Sequence, residues 1–110
     1  MSYEIKTLEV FEKKVRKLIR KYPSLKDELT SLVSNLKEKP DLGVSIGNSC
    51  FKIRLSIASK GKGKSGGARV ITYVKFIRNT VYLLTIFDKS EQESISGNDL
   101  KELLKLIPGE

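Results

Sequence analysis

The sequence contains no histidine and no tryptophan, and it has a single cysteine among its 110 residues. Without histidine the chain lacks the most common general base and the most common metal ligand of proteins. Cys50 has no second cysteine with which to form an intramolecular disulfide, so a reducing, cytoplasmic environment is expected. With no histidine to activate it, Cys50 is more simply a small buried residue at a strand start than a nucleophile.

Long apolar runs are also missing. No window approaches the roughly 18 apolar residues of a membrane span, and the first six residues, MSYEIK, contain no apolar signal-peptide region. We therefore expect a soluble protein that is not exported and does not bind membranes. The chain has no internal repeat and no long linker, so residues 1–110 are expected to form a single domain.

Acidic residues are absent between Asp41 and Asp88, although the same stretch contains eight cations: Lys52, Arg54, Lys60, Lys62, Lys64, Arg69, Lys75 and Arg78. Subtracting these eight from the 21 Lys and Arg leaves 13, which balances the 13 Asp and Glu. This region therefore carries the whole net charge of +8. A charge excess that served only solubility would be scattered, so we expect an anionic partner here, with nucleic acid the first candidate.

Two amphipathic helices are predicted in the first 40 residues. Apolar residues recur at spacings of three, four and seven from Leu8 to Tyr22, and a second apolar stripe runs from Leu25 to Leu36. Pro23 separates the two stripes, so the helices should form an antiparallel hairpin. A short strand is expected before them at residues 3–6, and residues 41–49 have the composition of a turn-rich connection.

Three strands and a short helix are predicted in the second half. Residues 51–57 alternate between apolar and polar, which places Lys52 and Arg54 together on the face opposite the core. Residues 68–76 and 81–87 should form a hairpin around the turn at 77–80. The last strand, VYLLTIF, is apolar on both faces and should be central. A capping-box-like sequence at Ser96 predicts a C-terminal helix, which completes an α+β fold.

The segment SIASKGKGKSGGARVITY, residues 56–73, is rich in glycine and in cations. Residues 58–65 read A-x-x-x-x-G-K-S, which differs from a P-loop at one position, but a P-loop requires a helix directly afterwards. The glycines and β-branched residues that follow favour a strand, so the P-loop interpretation is disfavoured. Two alternatives stay open for the loop lysines, which either hold a nucleic-acid backbone or form a solvated hairpin tip: Lys60, Lys62 and Lys64.

Tyr73 is predicted to share one face of its strand with Arg69. An aromatic ring among phosphate-binding cations is a platform on which a nucleic-acid base can stack. Tyr73 is equally well explained as a core residue with an exposed hydroxyl, and the sequence leaves both interpretations open.

The run FKIRLSIASKGKGKSGGARVITYVKF, followed by VYLLTIFDKSE, resembles the RelE-like toxins of bacterial toxin–antitoxin systems, most closely the HigB-type branch. The likeness is strongest over residues 51–91. It implies a RelE-like fold, in which an antiparallel sheet has two N-terminal helices packed on one face and a short C-terminal helix. It also implies a type II toxin that cuts messenger RNA on the ribosome, inhibits translation and is silenced by a cognate antitoxin protein.

Two other functions remain open within this resemblance. The superfamily also contains ParE-type toxins, which poison DNA gyrase without cutting RNA. A catalytically inactive basic module that binds nucleic acid or an acidic antitoxin is the third alternative.

The resemblance also assigns four catalytic basic residues along the predicted sheet: Lys52, Arg54, Arg69 and Lys89. At two positions this chain differs from better-known RelE members. Ser90 stands where they have a second arginine, and Ser96 lies near the position of their C-terminal tyrosine. A weaker or differently arranged active site is therefore expected.

The chemistry that these residues suggest needs neither histidine nor metal. RNA supplies its own nucleophile, the 2′-hydroxyl, so cleavage requires positioning, proton transfer and stabilisation of the phosphate charge. The forked donors of arginine match phosphate oxygens, which assigns Arg54 and Arg69 to the scissile phosphate. A lysine among cations loses its proton more readily, so Lys52 or Lys89 could act as base or acid, or merely bind phosphate. The basic region lacks the carboxylates that bind Mg²⁺, so a metal-independent endoribonuclease without a cofactor is expected.

Overall fold

A computed structural model of the chain describes residues 2–58 and 66–109. The secondary-structure elements, in chain order, are β1 (Glu4–Thr7), α1 (Glu9–Lys21), α2 (Leu25–Glu38), β2 (Val44–Gly47), β3 (Cys50–Leu55), β4 (Ala68–Lys75), β5 (Thr80–Asp88) and α3 (Gly97–Leu104). A short 3₁₀ turn, Phe76–Arg78, joins β4 to β5. The predicted α+β class is confirmed.

Within the described residues the strands form one five-stranded sheet in the order β1-β5-β4-β3-β2. The pairs β2–β3, β3–β4 and β4–β5 are antiparallel, whereas β1 pairs parallel with β5. The predicted N-terminal strand is therefore present, at an edge of the sheet. β5 lies between β1 and β4, and all of its residues are buried, as its apolar character on both faces predicted.

The prediction of a turn-rich connection at residues 41–49 was wrong in part, because this segment contains β2. Gly47 pairs with Cys50, so β2 and β3 form a hairpin with a two-residue turn. Both turn residues, Asn48 (φ 55°) and Ser49 (φ 60°), adopt the left-handed conformation. Such turns usually carry Asn-Gly. With serine in place of glycine next to a strand of four residues, the sequence signal of the hairpin was weak.

The two N-terminal helices pack on one face of the sheet, as predicted. Leu83 lines an apolar groove of about 390 Å³ together with Phe11 of α1 and Leu29 of α2. Ile53 lines a second groove with Leu32 of α2. The buried side chains of α1 and α2, together with those of the central strands, form the hydrophobic core.

The C-terminal helix α3 lies on the other face of the sheet. Thr72 pairs with Leu83, whose side chain faces the N-terminal helices, so the next residue along β4, Tyr73, points to the opposite side. Tyr73 lines a cavity there with Leu104 and Ile107. Ser96 begins α3 by accepting a hydrogen bond from the backbone N–H of Asp99 at 3.0 Å, which confirms the predicted cap.

Candidate active site

Arg54 and Arg69 are direct neighbours across β3 and β4. Their backbones pair in register, and residues that pair in this way direct their side chains to the same face of a sheet. Arg54 is exposed, whereas only 3% of Arg69 is accessible to solvent. The Nη1 atom of Arg69 donates a hydrogen bond of 3.1 Å to the carbonyl oxygen of Ala68. One guanidinium is therefore held in the protein while the other reaches into solvent.

Burial lowers the pKa of Arg69, and the positive charge of Arg54 lowers it further. A guanidinium stays protonated under ordinary conditions. The lowered pKa therefore means that burial and the charge of Arg54 destabilise a positive charge that Arg69 nevertheless keeps. An anion bound between the two arginines would relieve both contributions. The pair is therefore suited to hold a phosphate group.

Lys52 extends this basic face along β3. It lies two residues before Arg54, so the two side chains share one face and their Cα atoms are about 6.5 Å apart. Lys52 is half-buried between Val44 of β2 and Ile71 of β4. The prediction that Lys52 and Arg54 lie opposite the core is consistent with this arrangement, because Ile53 and Leu55 are buried.

Lys89 follows β5 at the same end of the sheet. Its backbone N–H donates to the carbonyl of Gly67 at 2.9 Å, two residues beyond the pair formed by Arg69 and Phe87. The Nζ atom of Lys89 lies 3.4 Å from Oε1 of Glu93, and the lysine side chain is 28% exposed. The chain thus brings Lys89 to the strand ends that carry Arg69.

Gly67 allows the strands to approach closely at this end. A Cβ atom at this position would lie 2.0 Å from the carbonyl oxygen of Leu55, closer than atoms can approach. Any larger residue would therefore push β3 away from β4 next to the Arg54–Arg69 pair. In the sequence this glycine is only a strand signal, and its packing role becomes visible through the contact with Leu55.

Asp88 and Ser90 were also missed as parts of the site. Only 3% of Asp88 is exposed, and its Oδ1 atom accepts hydrogen bonds from the N–H of Ser90 at 3.0 Å and from its hydroxyl at 2.8 Å. Aspartate side chains often accept a hydrogen bond from the backbone two residues later in turns, so Asp88 could have indicated this turn. The position that lacks the second arginine of better-known RelE members therefore has a structural role.

Tyr73 lies further from the arginines than the other described candidates. It is four residues beyond Arg69 on β4, which corresponds to about 13 Å along a strand. The residue is half-buried, and its ring centroid is 6.4 Å from that of Tyr82. Tyr73 therefore packs within the protein, and its role in base stacking stays a prediction. The candidates Lys60, Lys62 and Lys64 lie outside the described residues.

Cys50 is buried within the hydrophobic core, as predicted. Burial raises the pKa of its thiol to about 11, which disfavours the nucleophilic thiolate. In residues 2–58 and 66–109, no three acidic, cysteine or histidine side chains are grouped as metal ligands. No helix in those two ranges has the length and apolar character that crossing a membrane requires.

The fold is that of a small α+β protein that brings Lys52, Arg54, Arg69 and Lys89 together at one side of its sheet. The sequence model of the RelE toxin family, described as the RelE toxin of the RelE/RelB toxin–antitoxin system, matches residues 8–108. The chain therefore belongs to the RelE toxin family. Its placement in the HigB-type branch stays a prediction.

Solved structures show the same fold. A free, doubly substituted mutant of E. coli toxin RelE superposes with a TM-score of 0.65 at 20% identity, covering 97% of this chain and 99% of that one. RelE in the intact E. coli RelBE toxin–antitoxin complex superposes with a TM-score of 0.62 at 20% identity, covering 79% and 96%. The RelE mutant bound to an antitoxin RelBc peptide gives a TM-score of 0.62 at 20% identity over 97% and 99%.

Proposed function

We propose that the protein is the toxin of a type II toxin–antitoxin system and acts as a ribosome-dependent mRNA endoribonuclease. The observation that carries this proposal is the direct pairing of buried Arg69 with exposed Arg54 across β3 and β4. Fixed donors in a partly desolvated site stabilise a phosphate that gains negative charge in the transition state. Membership of the RelE family supports the same class of reaction.

The proposed reaction uses the RNA's own hydroxyl. The 2′-oxygen attacks the adjacent phosphorus, the bond to the 5′-oxygen breaks, and a 2′,3′-cyclic phosphate and a 5′-hydroxyl are formed. Arg54 and Arg69 donate to the non-bridging oxygens, whose charge increases as the new bond forms. One proton leaves the 2′-hydroxyl and another reaches the 5′-oxygen, so the reaction needs one acceptor and one donor of protons.

We assign these proton transfers to Lys52 and Lys89. Lys52 lies further along β3 from Arg54, whereas Lys89 follows the end of β5, so the two lysines flank the arginine pair from different strands. An in-line displacement places the attacking and leaving oxygens on opposite sides of the phosphorus. With one lysine on each side of the phosphate, one can exchange a proton with the attacking oxygen and the other with the leaving oxygen.

We also propose that an antitoxin protein binds this chain. E. coli RelE is found with the antitoxin RelB in the intact complex and with an antitoxin peptide. The net charge of +8 favours an antitoxin segment rich in Asp and Glu, since complementary charge speeds association and selects the partner.

Primer extension on a translated reporter mRNA tests the proposed function. Brief expression of the wild type should produce new 5′ ends within the coding sequence only while the message is being translated, and Arg69→Ala should abolish them. Arg78→Ala is the matched control, because Arg78 is an exposed arginine at the far end of β4 and should leave the cuts unchanged.

Growth arrest without any cut message would contradict the RNase assignment. In that case, inhibition of supercoiling by purified DNA gyrase would identify the ParE-type activity instead. Absence of both effects, with growth unaffected by wild type and by Arg69→Ala alike, would indicate the inactive basic module.

A further inference from the structure

The turn that follows β5 holds the backbone of Lys89 through several hydrogen bonds. The N–H of Lys89 donates to the carbonyl of Gly67 at 2.9 Å, which continues the pairing of β5 with the neighbouring segment. The N–H groups of Glu91 and Gln92 both donate to the carbonyl of Asp88 at 3.0 Å. The residues on either side of Lys89 are therefore fixed, although Lys89 lies beyond the last residue of the strand.

The Asp88 carboxylate reinforces this turn from within the protein. Its Oδ1 atom accepts two hydrogen bonds from Ser90, one from the backbone N–H and one from the hydroxyl. Burial removes the competition of water for these hydrogen bonds. Asp88 thus connects the residue before Lys89 to the residue after it.

Asp88 lies on the reverse side of the sheet from the proposed phosphate site. Arg69 pairs with Phe87, and Ala68 pairs with Asp88, so the side chains of Arg69 and Asp88 point to opposite faces. A carboxylate among the phosphate-binding cations would repel RNA. On the reverse face it shapes the turn without approaching the substrate.

The ion pair of the Lys89 side chain holds it only weakly. Its partner Glu93 is 90% exposed, and an exposed ion pair at 3.4 Å contributes little. An RNA phosphate would readily replace this carboxylate. The direction of the ammonium group must therefore come from the backbone of the turn rather than from its ion pair.

We infer that Asp88 and Ser90 are positioning residues, which aim the Lys89 ammonium at the scissile phosphate by fixing the turn between them. This inference rests on the proposed RNase function and on the role of Lys89 in it. The serine hydroxyl orients the neighbouring lysine, and the phosphate charge is left to Arg54 and Arg69.

A double-mutant cycle on ribosome-bound mRNA tests the inference. Single-turnover cutting should fall by roughly 100-fold for Lys89→Ala and by roughly 10-fold for Asp88→Ala. The double variant Asp88→Ala/Lys89→Ala should be no slower than Lys89→Ala, because Asp88 acts only through the lysine. Affinity for the ribosome should change little, since the loss lies in the chemical step.

Two conservative variants separate positioning from folding. Asp88→Asn keeps an oxygen that accepts from Ser90 and should cut within about threefold of the wild type, whereas Ser90→Ala removes one hydrogen bond and should lose a few-fold. Asp41→Ala is the matched control, because Asp41 is exposed and precedes β2, which β4 and β3 separate from β5. If Asp88→Ala does not fold, the cycle is run with Ser90→Ala in its place.

Each outcome decides the question. Multiplicative losses in the double variant would overturn the positioning role while leaving Lys89 as a functional residue. A wild-type rate for Lys89→Ala would overturn both this inference and the role proposed for Lys89. Loss of cutting in Asp88→Asn equal to that in Asp88→Ala would show that charge, rather than hydrogen bonding, is what Asp88 contributes, and would also overturn the inference.

Discussion

Arg54 and Arg69 face each other directly across two antiparallel strands although both carry a positive charge. Like charges in this arrangement destabilise a sheet. Neither residue has an acidic neighbour on its own strand, because no Asp or Glu occurs between Asp41 and Asp88. Retention of an unfavourable pair at a site suited to phosphate is the pattern expected where function opposes stability.

Removal of one charge from this pair should therefore stabilise the free protein. Arg54→Gln is expected to raise the free energy of unfolding by about 0.5 kcal/mol, because it ends the repulsion and Arg54 is exposed. Urea unfolding at low and high salt measures the effect, which should shrink as salt screens the charges of the wild type. The same change at exposed Arg78 should leave stability unchanged, and a lower stability of Arg54→Gln would contradict the repulsion.

The planar fork of Arg69 should matter as much as its charge. Arg69→Ala is expected to slow RNA cutting by roughly 100-fold to 1,000-fold, and Arg69→Lys should recover only part of the loss, because an ammonium cannot donate in parallel to two phosphate oxygens. Single-turnover cutting on programmed ribosomes measures both. Full activity of Arg69→Lys would show that a point charge is sufficient.

Gly67 and Gly97 should respond oppositely to alanine. Gly67→Ala places a Cβ atom 2.0 Å from the Leu55 carbonyl oxygen, so it should destabilise the protein by about 1–3 kcal/mol and disturb the active site. Gly97 lies in the first turn of α3, where an added Cβ atom would meet no atom of the described residues within 4 Å. Gly97→Ala should therefore be neutral or stabilising by up to about 1 kcal/mol. Thermal unfolding measures the stability of both variants against the wild type. Equal effects of Gly67→Ala and Gly97→Ala would contradict the prediction.

Cys50 should make stability fall at alkaline pH. Its folded pKa of about 11 lies above the value of an unfolded thiol, about 8.5, so its contribution is complete below pH about 8.5 and is lost as the pH rises towards 11. Relative to Cys50→Ala, the wild type should lose on the order of 2 kcal/mol of unfolding free energy over this range. Because lysines and tyrosines titrate in both proteins, their effect on the unfolding free energy cancels in the difference between wild type and Cys50→Ala. Parallel pH curves for the two proteins would rule out the effect.

The substrate's own hydroxyl should be required for cutting. A message with a single 2′-deoxynucleotide on the 5′ side of the cut site should resist cleavage there while neighbouring sites remain susceptible. The wild-type products should carry a 2′,3′-cyclic phosphate and a 5′-hydroxyl, which resist ligases that require a 5′-phosphate. Products with 5′-phosphates would instead indicate attack by water and would exclude the proposed nucleophile.

The helices and strands of this fold were predictable because each shows a pattern of apolar residues that repeats along its length. The apolar stripes of α1 and α2 extend over several turns, and β5 is apolar along its whole length. The pair Lys52 and Arg54 could be assigned to the side of β3 opposite the core because alternation along one strand depends only on neighbouring residues. The hairpin of β2 was missed because its turn carries serine where glycine is usual.

What the sequence alone determined is thus the periodicity of each helix and strand, the total charge and the absence of histidine. Only the tertiary structure decided that Arg54 lies opposite Arg69, that Lys89 meets Gly67, and that Ser90 binds Asp88. The physical reason is that these contacts depend on the register between strands that are distant in the chain. A shift of one residue would turn Arg69 to the opposite face, and packing of the whole sheet, rather than any local pattern, selects the register.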